Sequence, residues 1–244
     1  MVRVRLDRLL VDRGLVQTRE RARAIILAGH VLVDDSRIDK AGHLLSPDAL
    51  VRLVGEDHPY VSRGGLKLKG ALDTFGIRVE GMIVLDVGAS TGGFTDCLLQ
   101  EGARKVYALD VGYGQLAWRL RQDPRVVCIE RMNIRNYTGE GMVDTLDMAA
   151  IDTSFISLKL VIPAVIKLLR DEGFLIALIK PQFEVGRGEV GKGGVVRNPD
   201  LHERVLDDIS SFCSREGLGV YGTCESPLIG PAGNREFFIY AGIK

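Results

Sequence analysis

Four cysteines, four histidines and a single tryptophan are spread over 244 residues, and none falls in a spacing that builds a metal site. Cys97, Cys128, Cys213 and Cys224 form no C-x-x-C pair, and each sits in an apolar or strand-like setting. They read as buried thiols, neither disulfides nor zinc ligands. His30, His43, His58 and His202 are equally isolated, which leaves no metal to propose. No apolar run approaches the roughly 18 residues that cross a bilayer, and arginines occupy the N-terminal stretch where a signal peptide is apolar. A cytoplasmic protein with no membrane partner is the expectation. Net charge is absent too, because 32 Lys and Arg balance 32 Asp and Glu. The balance hides an asymmetry: seven arginines against Asp7, Asp12 and Glu20 leave the first 23 residues at +4 and the remainder at −4. Such an end points to a bound polyanion, or to a solvated helical face.

What the chain does have is concentrated in MIVLDVGASTGGFTDCLLQEG, Met82 to Gly102. Ile83, Val84, Leu85 and Val87 run without alternation, which fits a strand buried on both faces of a parallel sheet. Gly88, Gly92 and Gly93 then allow a sharp turn and close approach to a ligand, and Phe94, Cys97, Leu98 and Leu99 restart the chain as a helix. The glycines fit the dinucleotide fingerprint G-x-G-x-x-G poorly. A second strand through Val106 to Leu109 stops at Asp110, where a carboxylate can hold a ribose diol. With Asp86 before the turn, Ser90 in it and Asp110 after it, the stretch resembles the S-adenosylmethionine sites of Rossmann-like methyltransferases. The cofactor set read on that basis is Asp86, Gly88, Ser90, Gly92, Gly93, Phe94, Asp110, Asn133 and Asp152. Asn133, in RMNIR at the end of a third strand, is either an adenine contact or a plain loop residue.

In front of this lies RLDRLLVDRGLVQTRERARAIILAGHVLVDDSRI. Leu6, Leu9 and Leu10 predict a first helix ending at Gly14, and Thr18 caps a second with Ala22, Ile25 and Ile26 inward and Gly29 as terminator. HVLVDD is a strand with an Asp34-Asp35 turn, and DALVRLVG is another. Arg19 and Arg23 sit one turn apart on one flank, where they can grip successive phosphates. Two short helices and a small β unit with these arginines resemble an S4 RNA-binding domain over about residues 3 to 55, which implies Arg5, Arg8, Arg19 and Arg23 on the RNA face. GEDHPY, residues 55 to 60, is the natural boundary, giving domains at 1–58 and 59–244. A linker this short implies one composite surface.

Beyond the boundary, SRGGLKLKG predicts a helix bringing Lys67 or Lys69 near the sheet. GQLAWRLRQ reads as a helix, TLDMAAID as a strand ending at Asp152, and TSFISLKLVIPAVIKLLR as helix-rich, with Pro163 starting its regular part or following a short turn. GFLIALIK delivers Lys180. Residues 181 to 198, with five glycines and the cations Arg187, Lys192 and Arg197, read as a mobile basic flap over substrate. A closing β-pair presents Glu236. Arg63, Arg187 and Lys192 extend the RNA-facing set.

Lys67, Asp152, Lys180 and Glu236, in this order beside DVGASTGGF, match the Lys-Asp-Lys-Glu tetrad of FtsJ-like ribose 2'-O-methyltransferases, and S-R-x-x-x-K-L selects Lys67 over Lys69. With the S4-like start and SFISL, IKPQFEVG and GPxGNxEFF, nearly the whole chain is similar to the TlyA family. That resemblance implies an α/β fold, a class I methyltransferase sheet behind a small α+β S4 domain. It implies S-adenosylmethionine as cofactor and cytidine 2'-hydroxyls of ribosomal RNA, presented on ribosomal subunits, as substrate. Some relatives carry the name haemolysin. Independently, a ribose hydroxyl must lose its proton as a methyl is attached, and a lysine takes it only as the neutral amine. The expected arrangement makes Lys180 the base, with Lys67 beside it favouring that neutral form, and Asp152 and Glu236 holding lysines and ribose in register. Two other readings remain: an RNA-binding protein whose methyltransferase fold is silent, and a membrane-lytic protein.

Overall fold

Leu6, Leu9 and Leu10 form the buried face of a short helix in the computed structural model, α1 (Leu6–Asp12), which follows the two-residue strand β1 (Val4–Arg5). The structure describes residues 3–16, 18–27, 29–54, 59–230 and 232–244, without the side chain of Arg187. Ala22, Ile25 and Ile26 give α2 (Arg19–Leu27) the matching apolar stripe. β2 (Val31–Val33) turns into β3 (Ser36–Arg37) through Asp34 and Asp35, whose positive φ values of 47° and 64° suit a tight hairpin. β4 (Leu44–Leu45) pairs with β1, and β5 (Val51–Leu53) with β2. The last strand is shorter than DALVRLVG predicts, because Ser46 to Ala49 is consumed by a turn that Ala49 closes on the Ser46 carbonyl. Leu6, Leu10, Ile26 and Val31 meet in a core of this unit's own, and the unit spans Met1–Ser62. The boundary expected at GEDHPY falls largely outside the described residues, at 55–58.

The second unit, Arg63–Lys244, begins with α3 (Gly64–Phe75), stopped by Gly76 in the left-handed conformation. Its central strand β6 (Ile83–Val87) is buried at every position, as an unbroken apolar run requires. There follow α4 (Gly93–Gln100), β7 (Lys105–Leu109), α5 (Trp118–Arg121), β8 (Val126–Ile129), β9 (Leu146–Ile151), α6 (Leu158–Val165), β10 (Leu169–Ile179), α7 (Pro181–Glu184), α8 (Pro199–Arg215), β11 (Leu218–Glu225) and β12 (Phe237–Ile243). The seven strands lie in the order β11-β12-β10-β9-β6-β7-β8. β12 is antiparallel to both neighbours and the other pairings are parallel. From β6 the chain works outward to β8, then returns to the other side of β6 as β9. The order reverses between β6 and β9, and open α/β sheets bind ligands outside the strand ends at that reversal.

Three expected elements differ. GQLAWRLRQ is helical only at Trp118–Arg121, because Ala117 just before it has ψ of 138° and donates its N–H to the Thr91 carbonyl, tying the segment to the glycine turn. Pro163 lies inside α6, not at its start. The helix runs through it and yields two residues later to a tight turn at Ile166–Leu168, so the lost donor sits near the end of the ladder. Residues 181–198 are not a free flap along their whole length. They open with α7, and Val195 and Val196 are buried, clamped by Asn234, which accepts from the Val196 N–H and donates to the Gly194 carbonyl, each at 2.9 Å. The four cysteines are free thiols, Cys97 and Cys213 buried and Cys128 and Cys224 half-buried.

Candidate active site

The apolar strands stop at one rim of the sheet, and the residue after each stop carries the chemistry. Gly88 follows β6, Asp110 follows β7, Asp152 follows β9 and Lys180 follows β10. β10 and β12 pair up to Ile179 opposite Phe237, so the next residue outward on each is Lys180 and Glu236, at that same rim. The Asp152 N–H donates to the Val87 carbonyl at 2.9 Å. A Cβ on Gly88 would lie 2.5 Å from the Asp152 carbonyl. With φ of +88° as well, only glycine fits where the two loops meet.

Two amine–carboxylate pairs form here. Lys180 Nζ lies 2.5 Å from Asp152 Oδ1 and donates to Ser154 Oγ at 2.9 Å. Lys67 Nζ donates to Glu236 Oε2 at 2.5 Å, with both side chains almost wholly buried. Each lysine has its own acid, with α3 presenting Lys67 toward the start of β12. Lys69 is turned away to Asp73 and Glu101, in keeping with Lys67 as the inward member. Gly230 packs so closely on Glu236 that a Cβ there would overlap Oε1. The turn before β12 therefore needs glycine to seat the acid.

Next to the Lys180–Asp152 pair, with Asp152 and Ser154 in its wall, is a cleft of about 880 Å³, within the usual range for a small-molecule site. Gly88, Ser90, Asp110, Asn133 and Asp152 line it, with an apolar wall that includes Met132, Ile134, Ile156 and Leu160. Asp110 is braced, accepting from the Ser90 N–H at 2.8 Å and the Gly112 N–H at 2.7 Å. Asn133 accepts from the Arg135 N–H at 3.1 Å, capping a short turn. A carboxylate, an amide and apolar side chains suit the diol and base of a nucleoside.

Four members of the expected cofactor set are not on this wall. Gly92 is packed against Leu116 and Leu120, leaving no room for a Cβ. Gly93 and Phe94 are buried at the start of α4, and Phe94 stacks on Phe238 at 6.2 Å. Asp86 is fully buried. Its Oδ2 accepts from the Thr95 hydroxyl at 2.6 Å, whereas Oδ1 has no hydrogen-bond partner among the described residues. Burial pushes this carboxyl up to about 7. An orphaned buried acid oxygen behind the glycine turn is consistent with a cationic group arriving there.

Sequence spacing singles out neither Ser154 nor Glu184. Glu184, on α7, accepts from Ser157 Oγ at 2.6 Å and from the Leu158 N–H at 2.8 Å, so it caps α6 and ties the loop after Lys180 to the loop after Asp152. Burial raises its carboxyl above the usual range. Phe155 and Phe183 meet across the same two loops in a tilted ring pair, 5.1 Å between centroids. The strings SFISL and IKPQFEVG hold all four residues, but nothing in either string tells which residue reaches the other.

In the N-terminal unit, three of the four expected RNA-facing arginines converge on one acid. Arg5 holds the buried Asp7 through Nε and Nη2 at 2.9 Å each, Arg19 reaches it at 3.2 Å and Arg23 at 3.4 Å. Arg8 pairs instead with Asp12 at 3.4 Å. Elsewhere Arg63 is exposed and donates to the Ile229 carbonyl at 3.3 Å, and Lys192 is exposed. The Arg187 side chain lies outside the described residues.

The FtsJ-like methyltransferase family model matches residues 60–243 and the S4 domain model residues 4–51. A Bacillus subtilis protein carrying an rRNA methyltransferase name is 49% identical over 97% of this chain and 84% of its own length. A 16S/23S rRNA (cytidine-2'-O)-methyltransferase, TlyA, of Mycobacterium tuberculosis is 46% identical over 98% of this chain and 89% of its own length. A solved Streptococcus thermophilus structure with a hemolysin title, 45% identical, covers 100% of this chain and 90% of that one at a TM-score of 0.78. With the methyltransferase sheet, the two amine–carboxylate pairs and the S4 unit in one polypeptide, the chain belongs to the TlyA family of FtsJ-like methyltransferases.

Proposed function

We propose that the protein methylates the ribose 2'-hydroxyl of a cytidine in ribosomal RNA, with S-adenosylmethionine as methyl donor. The observation that carries this reading is the placement of two amine–carboxylate pairs at the strand ends of one sheet rim, with Asp152 of one pair lining a nucleoside-sized cleft. When bound, S-adenosylmethionine supplies a methyl group on a positively charged sulfur. Asp110 and Asn133 are the residues to hold its ribose and adenine.

The chain's own groups then manage the hydroxyl. Lys180 Nζ, in its neutral form, takes the proton from the 2'-oxygen as that oxygen attacks, while Asp152 and Ser154 fix the amine's direction. Lys67 and Glu236 form the second, more buried pair and hold the ribose in register. Their mutual neutralisation keeps the pocket from carrying a net charge in a low-dielectric site. Holding hydroxyl and methyl at near-attack distance supplies the remaining acceleration.

The functional parts are residues 1–58, which grip RNA, and 59–244, which carry the chemistry. An α/β fold of this kind with an RNA substrate fits a cytoplasmic protein working on ribosomal subunits, with no metal and no membrane. A 2'-hydroxyl inside an RNA helix is hard to align, so the target is a loop nucleotide or one turned out of its stack. The test is transfer of labelled methyl from S-adenosylmethionine to separated small and large ribosomal subunits, followed by mapping of the modified nucleotide. Label at a cytidine 2'-oxygen is expected. Cofactor binding without transfer to either subunit overturns the reading in favour of a silent fold.

A further inference from the structure

Asp7 is fully buried, yet its carboxylate lies among three arginine side chains that are each about half exposed, at 46%, 49% and 52%. These come from separate places: Arg5 precedes α1, Arg19 begins α2 and Arg23 lies one turn further along it. Arg5 takes the acid as a two-pronged fork, and Arg19 and Arg23 both close on Oδ2.

We propose that Asp7 is the positioning residue of the RNA-binding face, a buried anion that holds three exposed guanidinium groups in a fixed array for successive backbone phosphates. This deepens, and rests on, the RNA reading given above. A guanidinium has five N–H donors in a rigid plane. Contact with Asp7 occupies one or two of them on each arginine, and the rest remain for phosphate oxygens. Three cations around one anion leave the cluster at +2, so it stays attractive to a polyanion. An arginine already held in place loses less rotamer freedom when RNA binds. The hydrogen bonds from Arg5 keep the Asp7 carboxyl far below the ordinary carboxylate range, with Arg19 and Arg23 acting the same way, so the anion persists at any working pH.

The proposal makes a prediction opposite in sign to simple charge counting. Removing an acid from a phosphate-binding face makes the face more positive and, by net charge alone, tightens RNA binding. If Asp7 positions the arginines, Asp7→Asn weakens it instead. The experiment uses the full chain and a labelled RNA hairpin with an unpaired loop, titrated from about 50 to about 200 mM salt. Asp12→Asn is the control, because it removes the same charge at an exposed site of α1. Asp12→Asn is expected to hold or tighten affinity and Asp7→Asn to weaken it about tenfold, the scale of one charge-assisted hydrogen bond. Binding by Asp7→Asn as tight as by Asp12→Asn overturns the proposal.

Should Asp7→Asn fail to fold, the unaltered protein provides a second readout. Nitrogen-15 relaxation of arginine Nε–H groups in the RNA-free state is expected to find Arg5 and Arg23 rigid and Arg8, in its exposed pair, averaged. Equal mobility at all three overturns the positioning role. Rigid arginines in a protein that does not bind the hairpin would instead sink the RNA reading while leaving the geometry intact.

Discussion

The N-terminal unit and the methyltransferase unit both bring cations against carboxylates, in different proportions and at different depths. Around Asp7 one buried acid meets three half-exposed arginines, which leaves positive charge facing solvent. At the rim of the large sheet two acids meet two lysines, pair by pair, with Lys67 and Lys180 both buried. Excess cation at a wet surface attracts a polyanion and cannot readily be stripped of its protons, because arginine stays charged throughout the working range. Matched pairs of lysine and carboxylate add no net charge, and of the two cationic residue types lysine is the one that serves as a general base. On the proposed reading, the same two charge types serve for grip in one unit and for proton transfer in the other.

The sharpest way to break the contrast is to remove one lysine. Lys180→Ala is expected to lower turnover by about 10²–10⁴, the range of a general base, while calorimetry finds S-adenosylmethionine bound as before; near-normal turnover would refute the base assignment. Within the second pair, Glu236→Gln leaves Lys67 buried without its anion. Stability should fall by about 3–5 kcal/mol in thermal or denaturant unfolding. Replacing both members with apolar residues of similar volume should recover much of that stability and none of the turnover, a split that a purely structural pair would not produce.

A smaller effect separates Asp86 from Asp7. Asp86 has its folded pKa raised to about 7 by burial, so between its unfolded value near 4 and about 7 the native state binds a proton that the unfolded chain has released. Stability is therefore fully expressed at the acid end of this window and is lost as pH rises through it, by roughly 1.4 kcal/mol per pH unit at most. Asp86→Asn should flatten that slope in unfolding measurements, and an unchanged slope would remove Asp86 as its source. Asp7, held low by arginine, contributes in the other direction, its stabilisation being lost only under strong acid. The smallest effect expected is on RNA: Arg19→Ala with Arg23→Ala should make the dependence of log affinity on log salt shallower by about one to two, one unit or less per lost phosphate contact. An unaltered slope would take the two arginines off the RNA face.

Much of the rim was readable in advance because a parallel strand announces itself as an unbroken apolar run, and whatever polar residue follows must stand at its end. Asp110, Asp152 and Lys180 were found that way. Lys67 needed its motif, since helical spacing alone left Lys69 equal to it. Gly92, Gly93 and Phe94 read as ligand contacts because they share a string with Gly88. The backbone instead turns after Ser90 and carries them into packing against Leu116, Leu120 and Phe238. Asp7 reads only as one negative charge among seven arginines, and Glu184 lies inside a segment that reads as flexible.

From the sequence alone came the order of the elements, the strand ends, the turn that must be glycine and the basic character of the first unit, because each depends on neighbours within a few positions. Tertiary structure alone decided which cation meets which acid: Lys180 with Asp152, Lys67 with Glu236 across 169 positions, and three arginines with Asp7. An ion pair depends on distance and burial, and both are set by packing between elements that the chain leaves far apart.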